Sequence, residues 1–294
     1  MPRFLQVILA AVSFGTRFQG PLKPADTGLF AAALALQPAA GLWIGLAAAI
    51  LPMFLAVNFR GLQGLMLFAS GIYLFLLEWL TRFDNLHEFD SACRMLAGAN
   101  IPAEERIRRR TQAGSSPCTA MLIGLKLLLL YLIFMRTALF GDHMMLAVTL
   151  VAVPFFGRIA MLFAYPSGKK GPAVGGAVRI FWTLLALVLL AFVLGMLRTY
   201  GGDFFSFRTM KLTMSGFNGA NGDGVPPFIA LVSLGLQDTF LFFGAGFLSV
   251  MYWNTEAQKK LGEKPSPFFA GAVCETAELA AMIIFLILAD DLIF

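Results

Sequence analysis

The chain has 294 residues, of which 59% are hydrophobic and only 13% charged, and its net charge is +5. Soluble domains carry about 25% charged residues, so this composition excludes a water-soluble globule. The basic excess is read as loop charge on the cytoplasmic side of a membrane protein, and no nucleic-acid partner is expected.

Met1 to Gly15 carries one arginine and a short apolar stretch like a signal peptide, but Arg17 and Lys23 follow without a small-residue cleavage site. It is expected to be a retained amphipathic or re-entrant segment. Seven apolar spans of bilayer-crossing length follow: Gly28–Phe59, Gly61–Leu80, Pro117–Phe134, His143–Tyr165, Pro172–Leu197, Pro226–Trp253 and Phe268–Leu288. The first is long and contains Gln37-Pro38, so a kink or a broken helix is expected there. The expected fold is an all-α polytopic bundle of about seven transmembrane helices forming a single domain over residues 1–294. An acidic and basic loop, 81–116, and a Gly/Asn-rich loop, 198–225, interrupt it.

With the N-terminus inside, the cytoplasmic segments 1–27, 81–116, 166–171 and 254–267 hold fourteen Lys and Arg residues against five on the other side. The expected orientation is therefore N-in, C-out, with loop 198–225 outside. Cys93, Cys118 and Cys274 lack any paired spacing in sequence, so three free thiols are expected, and two histidines, His87 and His143, do not make a metal site by themselves. No internal repeat is visible, which weakens a reading as an inverted-repeat transporter.

Lys126, Arg158, Arg179, Asp238, Glu275 and Glu278 fall inside the spans. A charge near the middle of an isolated span costs at least about 2.5 kcal/mol, so each needs a partner or a wet cavity. Arg158, Arg179, Glu275 and Glu278 all lie roughly 10 Å from the cytoplasmic ends of their helices. They are expected to converge in a polar pocket at that end or, equally, to lock helices together as ion pairs. Lys126 and Asp238 lie deeper and are expected to pair with each other.

After the second span comes Arg82-Phe83-Asp84-Asn85-Leu86-His87-Glu88-Phe89-Asp90. Asp84 and Glu88 share a helix face and Asp90 is close by, a grouping that either holds Mg²⁺ or forms an ordinary solvated acidic segment. The run Glu104-Glu105-Arg106-Ile107-Arg108-Arg109-Arg110 either meets anionic lipid headgroups or supplies cations to a phosphate substrate.

Taken in order, these signals resemble the cobalamin synthase family, membrane-bound adenosylcobinamide-GDP ribazoletransferases. Ser13-Phe14-Gly15-Thr16-Arg17 is similar to that family's serine-phenylalanine-x-threonine-arginine opening. Residues 82–90 resemble its histidine-x-aspartate-glycine-leucine-alanine-aspartate signature and the further aspartate, with Asp84, Glu88 and Asp90 at the acidic positions. Arg158 followed by Tyr165 resembles the arginine and tyrosine before a basic loop. Lys260-Leu261-Gly262, then Gly271-Ala272-Val273-Cys274-Glu275-Thr276-Ala277-Glu278, is similar to the family's final helix with its glycine-alanine-x-x-glutamate-x-x-glutamate. The chain departs from the pattern at Arg82 (family histidine), Asn85 (glycine), Glu88 (aspartate), 110–115 (a lost acid and arginine) and Pro265-Ser266-Pro267 (a lost glycine-aspartate).

The resemblance implies a phosphotransferase for substituted phosphate groups, joining α-ribazole or its phosphate to adenosylcobinamide-GDP with release of GMP. It implies a multi-pass protein of a bacterial cytoplasmic (inner) membrane, in contact with lipid and compatible with homo-oligomer formation. Mg²⁺ would be held by Asp84, Glu88 and Asp90; Arg158, Arg179, Lys169 and Lys170 would bind phosphate; and Glu275, Glu278 and Arg158 would be catalytic. Two other readings stand beside it: a non-catalytic or retasked relative that binds a corrinoid or nucleotide, and a transporter.

Overall fold

The computed structural model describes residues 3–14, 27–59, 62–97, 116–140, 143–165, 175–200, 227–261 and 269–291. Among them are ten helices and no strand: α1 (Arg3–Phe14), α2 (Thr27–Ala35), α3 (Gln37–Asn58), α4 (Gln63–Leu80), α5 (Asp84–Ala97), α6 (Pro117–Phe140), α7 (His143–Ala164), α8 (Gly176–Tyr200), α9 (Pro227–Leu261) and α10 (Ala270–Asp291). Six of these, α3, α4, α6, α7, α8 and α10, are long and apolar enough to cross a membrane. Trp43, Ile50 and Met121 are 71%, 72% and 74% exposed on such helices, a placement that acyl chains accept and water penalises. The protein is an all-α polytopic membrane protein.

The long first apolar span is two helices, α2 and α3, with a turn at Leu36 between them. Pro38 falls in the first turn of α3, where its missing N–H has no intrahelical acceptor to lose. The break leaves polar groups that neighbours satisfy. Trp182 of α8 donates to the carbonyl of Ala35, and Gln37 donates to the carbonyl of Ala11 in α1. From Pro227 on, the span expected at Pro226–Trp253 lies in α9, which continues to Leu261 and is not among the six. It runs antiparallel to α8: Cβ atoms placed on Gly195 and Gly235 would each sit 1.9 Å from a carbonyl oxygen of the opposite helix, so only glycine permits this approach.

α7 is the axis of the bundle, with 78% of its apolar window buried against 22% for α8. Val151 and Pro154 of α7 lie against Gly41 and Gly45 of α3, where added Cβ atoms would come within 2.7–2.9 Å of α7. Such a small-x-x-x-small face is what close packing between membrane helices requires. Pro154 lacks the N–H that would have bonded the carbonyl of Leu150 four residues earlier. The Tyr73 hydroxyl, from α4, donates to that carbonyl at 2.6 Å. The proline is thereby tolerated and α4 is fixed to α7 at mid-bundle.

Candidate functional site

Five helix ends meet at one end of the bundle: the starts of α3, α6 and α10 and the ends of α4 and α7. A buried ionic cluster lies there. Lys126 of α6 points its ammonium at Glu275 and Glu278 of α10 and at Glu78 of α4. The bond to Glu275 is very short, that to Glu278 is 2.8 Å, and Glu78 Oε1 stands off at 3.6 Å. All four residues are at most 4% exposed, and one oxygen from each carboxylate lies within 4.8 Å of the others.

The sequence explains this convergence. Glu275 and Glu278 are three residues apart and share a helix face, as expected. Gly157 of α7 lets α10 approach, because a Cβ there would lie 2.6 Å from Glu278 Cγ. The Cys274 thiol donates to Glu278 Oε1 at 3.6 Å, and Asn85 of α5 donates to that sulfur at 3.5 Å. Next to Gly157, Arg158 is 2% exposed and donates to Gln37 Oε1 at 3.0 Å. The Gln37 amide therefore links the broken start of α3, the carbonyl of Ala11 and the Arg158 guanidinium.

The expected meeting of Glu275, Glu278 and Arg158 at one end of the bundle is present. The expected pairing of Lys126 with Asp238 is replaced by three carboxylates on α4 and α10, while Asp238 is buried on α9. Arg179 stands apart from the cluster. Its NH2 donates to the carbonyl of Tyr165 at the end of α7, 2.7 Å away, and its guanidinium lies 5.7 Å over the Phe163 ring. Lys169 and Lys170 lie outside the described residues. Glu78 is the member that sequence reasoning missed. It sits two residues from the end of α4, where a charge is easily assigned to the interface. Its signal is that it is the sole charged residue between Gly61 and Leu80.

The α5 acids, expected to share one ion, face three ways. Glu88 accepts the Gly271 backbone N–H at 2.6 Å, at the start of α10. Gly271 is required there, since a Cβ would sit 2.6 Å from the Glu88 side chain. Asp90 accepts from the Ser116 N–H at 2.5 Å, from the Thr119 hydroxyl at 2.7 Å and from Arg94 at 2.6 Å. Two acids thus cap the N-termini of α10 and α6, where negative charge opposes the helix dipole. Burial works to raise the Asp90 carboxyl, but the bonds from Ser116, Thr119 and Arg94 outweigh it and bring it down to about 2. Asp84 is exposed at the start of α5. Desolvation by its neighbours pushes its carboxyl upward against the pull of Arg82 and Arg158.

The turn that aims α5 back at α10 is strained. Arg82 and Phe83 are both left-handed, with φ of 61° and 59°, a conformation costing roughly 1–2 kcal/mol per non-glycine residue. The Phe83 N–H and the Thr81 hydroxyl both bond the carbonyl of Glu78, closing the end of α4. Further along α5, one turn after Asp90, the Cys93 thiol lies beside Cys118 of α6; burial and this neighbour push Cys93 up to about 12. The two thiols, unpaired by spacing, are neighbours in the fold.

No family model, curated protein or solved structure matches the chain.

Proposed function

We propose that the chain is a membrane transferase of the cobalamin synthase type, joining α-ribazole or its phosphate to adenosylcobinamide-GDP with release of GMP. The observation supporting this reading is the packing of α5 on α10. Residues 82–90 and 271–278, which carry the resemblance and are far apart in sequence, meet where Glu88 bonds Gly271 and Asn85 bonds Cys274. Arg158, a third matched position, lies at the same end of the bundle.

In the reaction a ribazole oxygen bonds to phosphorus, the bond from that phosphorus to the GMP oxygen breaks, and the hydroxyl proton passes to a base. The protein's part in such a step is mainly positioning and charge neutralisation. Glu275 and Glu278 are buried on Lys126, so as arranged they hold the core of the site together and do not face solvent. Mg²⁺ commonly takes one or two carboxylates and completes its shell with water and substrate phosphates. The α5 acids do not gather into a three-ligand set; Asp84 is the one whose carboxylate is open to such an ion. Mg²⁺ bound there with the diphosphate would neutralise the departing GMP.

The engagement of Glu88 and Asp90 as helix caps favours a second reading, a relative that binds the GDP-linked corrinoid without turning it over. Purified protein given adenosylcobinamide-GDP, α-ribazole and Mg²⁺ decides between them. GMP release that is lost in Asp84→Asn, with an unchanged melting temperature, supports the transferase. Normal turnover in Asp84→Asn ends the Mg²⁺ assignment. Thermal protection by the GDP-linked corrinoid without GMP release supports the second reading. A transporter predicts neither.

A further inference from the structure

The ionic cluster contains more carboxylates than its cations balance. Three carboxylates, Glu78, Glu275 and Glu278, face one ammonium, Lys126. The other charge acting on Glu78 is the Arg158 guanidinium on α7, and Tyr73 lies nearby on Glu78's own helix. Three potential negative charges stand against Lys126 and Arg158, and Arg158 also acts on Asp84 of α5, in a place where Glu78, Lys126, Glu275, Glu278 and Arg158 are at most 4% exposed. An unbalanced charge in so dry a setting is costly, and the usual relief is to take up or lose a proton.

The geometry also separates the three acids. Lys126 gives hydrogen bonds to Glu275 and Glu278. Glu78 receives none from it, its nearer oxygen being 3.6 Å away. The other oxygen, Glu78 Oε2, is buried without a hydrogen-bond partner among the described residues. An ionised carboxylate so placed would keep its charge and lose its solvation, whereas a carboxylic acid loses much less.

We propose that Glu78 is a proton-binding site, a carboxylic acid that holds one exchangeable proton, drawn from water, inside the membrane bundle at neutral pH. With that proton the excess of negative charge is relieved, leaving two carboxylates against Lys126 and the Arg158 guanidinium that also acts on Asp84. The proton makes Glu78 a buried acid that can give up its proton when a further cation arrives or when a neighbouring carboxylate is neutralised. This holds whether or not the chain is a transferase.

Infrared spectroscopy of the purified protein tests it, because the carbonyl stretch of a carboxylic acid is distinct from carboxylate bands and shifts when H₂O is replaced by D₂O. Wild-type protein at neutral pH is expected to show such an acid band, and Glu78→Gln to lose one carboxyl's worth of it. Glutamine is the near-isostere of the protonated acid, so Glu78→Gln is expected to keep the wild-type melting temperature. Glu275→Gln and Glu278→Gln, which each remove a charged acceptor from Lys126, are expected to lower it. Lys126→Met removes a cation and is expected to strengthen the acid band. A Glu78→Gln spectrum that superimposes on wild type would overturn the proposal. So would a Glu78→Gln protein that fails to fold or melts as early as Glu275→Gln.

Discussion

The Asp90→Asn substitution separates a helix cap from a metal ligand. Asp90 takes three bonds, from Ser116, Thr119 and Arg94, and no shared ion is needed to explain its position. Its carboxyl falls from the ordinary 3.8 to about 2. At about 1.4 kcal/mol per pH unit, that difference corresponds to roughly 2.5 kcal/mol of stability. Arg94 is partly open to solvent, which screens its share. Asparagine retains one acceptor oxygen, so the expected loss is about 1–2 kcal/mol. The sign follows from the depressed value: the contribution is complete above about pH 4, where the unfolded chain also ionises, and vanishes as pH falls through about 2. Thermal unfolding of wild type and Asp90→Asn in detergent, at neutral pH and then in acid, reads the effect. The variant should melt earlier at neutral pH by roughly 2–4 °C for each kcal/mol, with the gap closing towards pH 2 and no dependence on Mg²⁺. Equal melting at neutral pH would refute the cap. Mg²⁺ that protects wild type and not Asp90→Asn would show a metal ligand in its place.

The remaining expectations test other parts of the same end of the bundle. Lys126→Met leaves the carboxylates of Glu275 and Glu278 without their cation and should cost about 3–5 kcal/mol, read as a large drop in melting temperature. Adding Glu275→Gln to that variant should recover part of the loss. Arg82→Gly relieves a left-handed arginine and should raise stability by about 1 kcal/mol; a fall of the same size would show that the Arg82 side chain matters more than its backbone. Cys93 and Cys118 should form a disulfide under copper-phenanthroline, detected by peptide mass, while Cys274, buried beside Glu278, stays reduced. Cross-linking of Cys93 to Cys274 instead would contradict the packing of α5 on α6.

The amino-acid sequence by itself marked all six helices that are long and apolar enough to cross a membrane, with the Pro226–Trp253 span expected in addition, because an apolar run of bilayer length has few other fates. It determined the break at Gln37-Pro38, because proline starts a helix more easily than it continues one. It also marked Glu275 and Glu278 as neighbours, since their spacing alone puts them on one face. Partners across helices were beyond its reach. Asp84, Glu88 and Asp90 are close along α5, yet helical rotation turns Glu88 to α10 and Asp90 to α6. Lys126 reaches Glu78 and not Asp238, and Cys93 meets Cys118, because helix crossings and the glycines at the contacts decide which side chains share a depth and a direction. Those contacts, at Gly157 and Gly271 above all, are set by the shapes of two helices together. No single stretch of sequence contains both shapes, so only the tertiary structure could decide them.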